Sequence, residues 1–87
     1  MIKMYVRHKV ADFKKWKPVY DEHDAVRKQS GCKSSTVFIN AQNPNEILAV
    51  LDWDTKDQAL KFGQSPGLKE AEERGGVISV PEVSFAG

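Results

Sequence analysis

From Ile2 to Lys9 the side chains alternate, with Ile2, Met4, Val6 and His8 on one face and Lys3, Tyr5 and Arg7 on the other. That period predicts a first strand. After Asp12 the period becomes helical. With Trp16 as zero at about 100° per residue, Tyr20 falls near +40°, His23 near −20° and Arg27 near +20°. On the same scale Phe13 lies near +60° and Val19 near −60°, so this is the core-facing side. Lys14, Lys17, Asp21 and Lys28 occupy the solvated side. The pattern predicts a helix capped by Asp12, running to about Gln29 and stopped by Gly31. Pro18 either sits in its first turns or marks a break after a short opening turn.

Cys32 to Asn40 reads as a second strand, Ala41-Gln42-Asn43-Pro44-Asn45 as a hairpin turn, and Glu46 to Trp53 as a third strand. Thr55-Lys56-Asp57-Gln58 is a capping-box pattern that opens a second helix, with Ala59, Phe62 and Gly63 on its inner face. Ser65 and Pro66 restart a short helix as cap and first residue, Leu68 and Ala71 face inward, and Gly75-Gly76 ends it. Val77 to Phe85 reads as a fourth strand, which Pro81 places at an edge or a bulge.

The order β-α-β-β-α-β predicts the α+β class and a ferredoxin-like subunit. Right-handed crossovers turn it into a four-stranded antiparallel sheet with the helices on one face. The uncovered face should then be polar. Instead, Leu48 and Val50 back the row Ile47, Ala49, Leu51 and Trp53, and Ile78 and Val80 back Val77, Val83 and Phe85. A second copy of the same sheet is the simplest cover, so a homodimer through stacked sheets is expected.

Length points the same way. Eighty-seven residues make a single domain, 1–87, that buries only about 60% of its unfolded surface, and dimerisation is a natural supplement. A formal net charge of +1 gives no electrostatic case for nucleic acid or an acidic membrane. The strands also lack the Lys/Arg-Gly-Phe-type motifs with which such a sheet binds RNA. No apolar run is long enough to span a bilayer, and the chain enters a strand pattern at once, so neither a transmembrane span nor a signal peptide is expected. The lone Cys32 excludes an intrachain disulfide, fits a cytoplasmic location, and reads as a small buried residue.

Several residues, in order, resemble the dimeric α/β-barrel superfamily, in particular the small proteins related to antibiotic-biosynthesis monooxygenases and polyketide cyclases. They are His8, the stretch Asp12 to Lys17, Arg27 and Gly31, then Trp53, Ala59, Phe62, Ser65-Pro66 with Leu68, and Gly76-Val77 followed by Pro81. The resemblance implies a homodimeric barrel holding a small aromatic or polyketide-like ligand in a cleft between sheet and helices. Cofactor-independent oxygenases of this group look as though they use a Trp near the end of the third strand, an Asn four residues earlier and a Tyr six later. Trp53 matches, but Ala49 and Ala59 stand at the other two positions, which puts quinone-forming oxygenation in doubt. Haem-degrading relatives take an axial His from the second helical segment. The only histidines here are His8 and His23, so no haem or other cofactor is expected, nor any metal, since two His with Asp24 do not reach a ligand spacing.

The candidate catalytic residues are His8, His23 and Arg27. A neutral imidazole can accept a proton near pH 7, and a guanidinium can stabilise an enolate or phenolate oxygen. Tyr20 can donate a hydrogen bond, and Trp16, Trp53 and Phe62 would supply flat walls, which makes these four the expected substrate contacts. The set suits cyclisation, isomerisation or monooxygenase-like chemistry that begins with proton removal. The other reading is a non-catalytic ligand-binding or structural dimer, in which Arg27 pairs with Asp24 and His23 bonds within a polar core.

Overall fold

A computed structural model describes residues 1–87. Its elements in order are β1 (Ile2–Lys9), α1 (Phe13–Glu22), α2 (Asp24–Gln29), β2 (Cys32–Ile39), β3 (Glu46–Trp53), α3 (Lys56–Gly63), α4 (Pro66–Arg74) and β4 (Glu82–Ala86). The strands form one antiparallel sheet in the order β2-β3-β1-β4. This is the expected βαββαβ ferredoxin-like fold.

The central pair β1 and β3 is in continuous register from Ile2 opposite Trp53 to Lys9 opposite Glu46. Alternation therefore sends Met4, His8, Ile47, Ala49, Leu51 and Trp53 to one face, and all are buried there. The core has two centres. Met4, Cys32, Leu51, Trp53, Ala59 and Phe62 pack under α3. Val10, Trp16 and Ile47 pack under α1 at the other end of the strands. His8, Val6 and Ala49 occupy the register positions between the two centres, and that interval is where the molecule is hollow.

Helix starts follow their caps. The Asp12 carboxylate accepts from the Lys14 N–H at 3.0 Å, and Asn45 accepts from the Phe13 N–H at 3.0 Å. The Thr55–Gln58 capping box is complete, with both bonds at 3.3 Å. Ser65 caps α4 with Pro66 in its first turn. Gly31 ends α2 at φ +108, a conformation that L side chains rarely adopt. At Gly75 the chain passes close to Trp16: an added Cβ would lie 3.1 Å from Trp16 Cδ1. The missing side chain lets the end of α4 close on α1.

Two boundaries differ from the sequence reading. The first helix is not continuous to Gln29 but loosens for one residue at His23, whose φ/ψ of −79/−2 separates α1 from α2. The His23 N–H is shared between the carbonyls of Val19 and Tyr20, both at 3.2 Å. Pro18 sits inside α1, which continues through it, and so is not the break. The fourth strand is Glu82–Ala86, not Val77–Phe85. Val77 makes only an isolated bridge to Val10, after which Ile78 donates to the Lys9 carbonyl at 2.9 Å and Ser79 Oγ accepts from the Lys9 N–H at 2.8 Å. This hook uses the end of β1, and Pro81, with no N–H to donate, delays regular pairing until Glu82. Ile78 and Val80 are therefore not the second face of a strand. The open sheet face instead carries Tyr5, Leu48 and Val50, with Phe38 54% exposed beside them.

Candidate functional site

A cleft of about 600 Å³ lies between the sheet and the helices. Its floor is Met4, Val6 and His8 from β1 with Ala49 and Leu51 from β3. One wall is the predicted helix stripe, Trp16, Tyr20, His23 and Arg27, and the other is Phe62 from α3 with the inner face of α4. Pro81 and Val83 reach its rim.

The stripe stacks in chain order. His8 meets Trp16 edge-on with ring centres 5.5 Å apart, and Trp16 lies 4.8 Å from Tyr20. Arg27 places its guanidinium carbon 3.7 Å from the centre of the Tyr20 ring. The Tyr20 hydroxyl is hydrogen-bonded to Ser35 on β2, which fixes the ring and ties α1 to the sheet. Burial pushes the Tyr20 pKa up, partly offset by that bond and by Arg27, so it stays a neutral phenol at neutral pH.

Arg27 is 4% exposed, yet its side chain makes no hydrogen bond. Its Nε is buried without a partner, and its nearest carboxylate oxygen is Asp24 Oδ1 at 3.6 Å, beyond hydrogen-bond range. Asp24 belongs first to Lys28, at 3.0 Å, whose bond is the main cause holding the Asp24 pKa below its ordinary value. The internal Arg27–Asp24 pairing considered from the sequence is thus loose and shared.

Both histidines are buried. Burial lowers the pKa of each, and at His23 the charges of Arg27 and Arg74 lower it further. His8 Nδ1 and His23 Nε2 are buried without a hydrogen-bond partner. A neutral imidazole with an unpartnered nitrogen beside a cleft can take a proton from a ligand that reaches it. Nowhere do three His, Cys, Asp or Glu side chains converge as a metal-binding group.

Of the residues named from sequence, His8, Trp16, Tyr20, His23, Arg27 and Phe62 all line the cleft. Trp53 does not. It is 0% exposed in the core behind Phe62, with ring centres 5.3 Å apart, because it lies at the end of β3, opposite Ile2, where α3 covers the sheet. Sequence reasoning missed Glu72 and Lys69, both of which line the α4 wall. The signal was present for Glu72, which follows the inward-facing Leu68 by four residues and so shares its helix face.

The family model for antibiotic biosynthesis monooxygenase matches residues 4–74. A solved candidate antibiotic biosynthesis monooxygenase from Bordetella bronchiseptica superposes with a TM-score of 0.83 at 17% identity, covering 99% of this chain and 94% of that one. SnoaB, a cofactor-independent oxygenase from Streptomyces nogalater, superposes with a TM-score of 0.79 at 13% identity, covering 99% and 90%. A third, another candidate monooxygenase, from Caulobacter crescentus, has a TM-score of 0.78 at 15% identity and covers 98% and 86%. At these identities the likeness establishes the fold. No curated protein matches the chain.

Proposed function

The chain belongs to the antibiotic biosynthesis monooxygenase family, and from that premise we propose that its cleft binds a small, flat aromatic or polyketide-like molecule and moves a proton on it. The observation that carries this reading is Arg27, a buried cation with no hydrogen bond and an open cleft beside it. A buried charge with only a loose, shared partner is costly, and a ligand oxygen that gains negative charge supplies a closer one. The ligand is a ketone or phenol whose oxygen meets Arg27 and whose rings lie among Trp16, Tyr20 and Phe62. A neutral imidazole, His8 from the floor or His23 from the wall, takes the proton. The working unit is a homodimer, supported by the apolar sheet face of Tyr5, Phe38, Leu48 and Val50 that one copy leaves open.

A second reading, in which the enolate goes on to react with dioxygen, is favoured by the likeness to SnoaB. Against it, Ala49 offers no polar group on the floor, and Ala59 is fully buried away from the cleft.

Hydrogen–deuterium exchange of 2-tetralone, an enolisable ketone fused to an aromatic ring, tests the reading. Wild-type protein should accelerate loss of its α-proton NMR signal over buffer, and Arg27→Gln should abolish the acceleration. Oxygen uptake in the same mixture separates the second reading. A wild-type rate equal to buffer sinks proton transfer.

A further inference from the structure

Glu72 is the one carboxylate that lines the cleft. It is half-buried on the inner face of α4, one turn beyond Leu68; its backbone carbonyl accepts from the Val77 N–H at 3.0 Å, while its carboxylate makes no hydrogen bond and no ion pair. Its neighbours on that helix, Glu70 and Glu73, are exposed, as carboxylates on a short surface helix ordinarily are. The titratable groups that share the cavity with it are His8 from β1, Tyr20 and His23 from the α1 wall, Arg27 from α2 and Lys69 from its own helix.

We propose that Glu72 is a catalytic acid of this cleft, delivering a proton from the α4 wall to a ligand that loses one at the facing helix wall, and that the substrates are therefore ketones with a double bond one carbon removed from conjugation. This rests on the proton-transfer reading above and adds to it a second proton carrier and a substrate class.

The step balances without an oxidant or reductant. The His23 imidazole, on the same helix face as Arg27 and with Nε2 unpartnered, takes the proton from the carbon between the carbonyl and the double bond. The C–H electron pair enters the conjugated system, and negative charge collects on the carbonyl oxygen beside Arg27. The Glu72 carboxyl then gives its proton to the far carbon of the former double bond, and the conjugated ketone forms. His23 ends protonated and Glu72 ionised, and one proton passing from imidazolium to carboxylate through solvent restores both.

The environment suits this exchange. Burial alone pushes the Glu72 pKa up, while burial, then the charges of Arg27 and Arg74, lower that of His23. The two values move toward each other, which favours proton return in either direction. The two groups come from different walls, the α1–α2 junction and α4, so they can address different carbons of one ligand.

The test uses 3-cyclohexenone, whose conversion to the conjugated 2-cyclohexenone raises ultraviolet absorbance. Wild-type protein should catalyse it, with a rate that falls as pH rises through the Glu72 pKa. Glu72→Gln should lower kcat on the order of 100-fold and remove that limb of the profile, while Glu72→Asp keeps part of the activity. A wild-type protein that exchanges 2-tetralone but does not isomerise 3-cyclohexenone overturns the role of Glu72 and leaves the parent reading standing. Glu72→Gln isomerising at the wild-type rate does the same. Absence of 2-tetralone exchange by wild type overturns both.

Discussion

Arg27 lies over the Tyr20 ring, with its guanidinium carbon 3.7 Å from the ring centre. Such a contact contributes about 0.5–2 kcal/mol, whereas taking a cation out of water costs several kcal/mol. The ring orients the charge without compensating its burial, and the only carboxylate near it is shared with Lys28. Under the proposed function, the guanidinium is placed for a ligand that enters the cleft it lines.

Replacing Arg27 by Met should accordingly leave the melting temperature unchanged or raise it, because an under-partnered charge gives way to an apolar chain of similar reach. Binding of 2-naphthol, a stable phenol shaped like the enol of 2-tetralone, should weaken by about tenfold or more in calorimetric titration, as expected for loss of a hydrogen bond to a charged group. A large drop in melting temperature would instead mark Arg27 as a structural keystone.

Stability should fall on mild acidification. Both histidines have folded pKa values below the ordinary 6.5. Above that value neither state is protonated and their contribution is whole. As pH drops below it the unfolded chain takes up protons first, and stability is lost until the folded values are reached. Glu72 acts in the opposite sense, since its raised pKa favours the folded state at low pH. The histidine contribution is isolated by comparing melting curves of wild type and His8→Gln between pH 7 and 5. The wild-type slope should be the steeper, and equal slopes would count against a buried neutral His8.

Trp53→Phe separates core from cleft. It should cost on the order of 1–3 kcal/mol in chemical denaturation, from lost volume in a packed site. The affinity for 2-naphthol should not change, because Phe62 stands between Trp53 and the cleft. A loss of affinity at unchanged stability would return Trp53 to the binding wall.

Gly31→Ala should destabilise by about 1–3 kcal/mol, the scale of a non-glycine residue forced into sparsely populated backbone space. The φ of +108 is compounded by the Gln58 amide, which an added Cβ would approach to 2.7 Å, so the Thr55–Gln58 cap must shift too. Thermal melts against wild type decide it.

Sedimentation of the wild-type protein should give a dimer at micromolar concentration. Leu48→Lys, which sets a second cation opposite Arg7 on the open sheet face, should give a folded monomer. A wild-type monomer would remove the case for stacked sheets.

Much of this fold was legible because its periods are clean. The alternation in β1 placed His8 with Met4 and Val6, and the helical stripe from Trp16 to Arg27 lines one wall as its angles required. The boundaries were less so. The pause at His23 leaves the stripe in phase, so periodicity cannot reveal it. The stretch Val77 to Val80 alternates like a strand but is held by Lys9 and Ser79 bonds that depend on where β1 ends in space. The sequence puts Trp53 on the cleft face but cannot place it outside the cleft, because strand alternation tells which face a residue takes and not which helix covers it. From sequence Glu72 reads as solvated, being a glutamate among other charged residues on a short helix, although its spacing from Leu68 places it inward.

Titrating 2-naphthol into isotopically labelled protein, and following backbone amide and arginine side-chain NMR signals, tests the cleft most directly. Shifts centred on His8, Tyr20, Arg27, Phe62 and Glu72, with the Arg27 guanidinium signal moving furthest, are the predicted result. Shifts confined to Tyr5, Phe38, Leu48 and Val50 on the other sheet face, or none at saturating ligand, would contradict it.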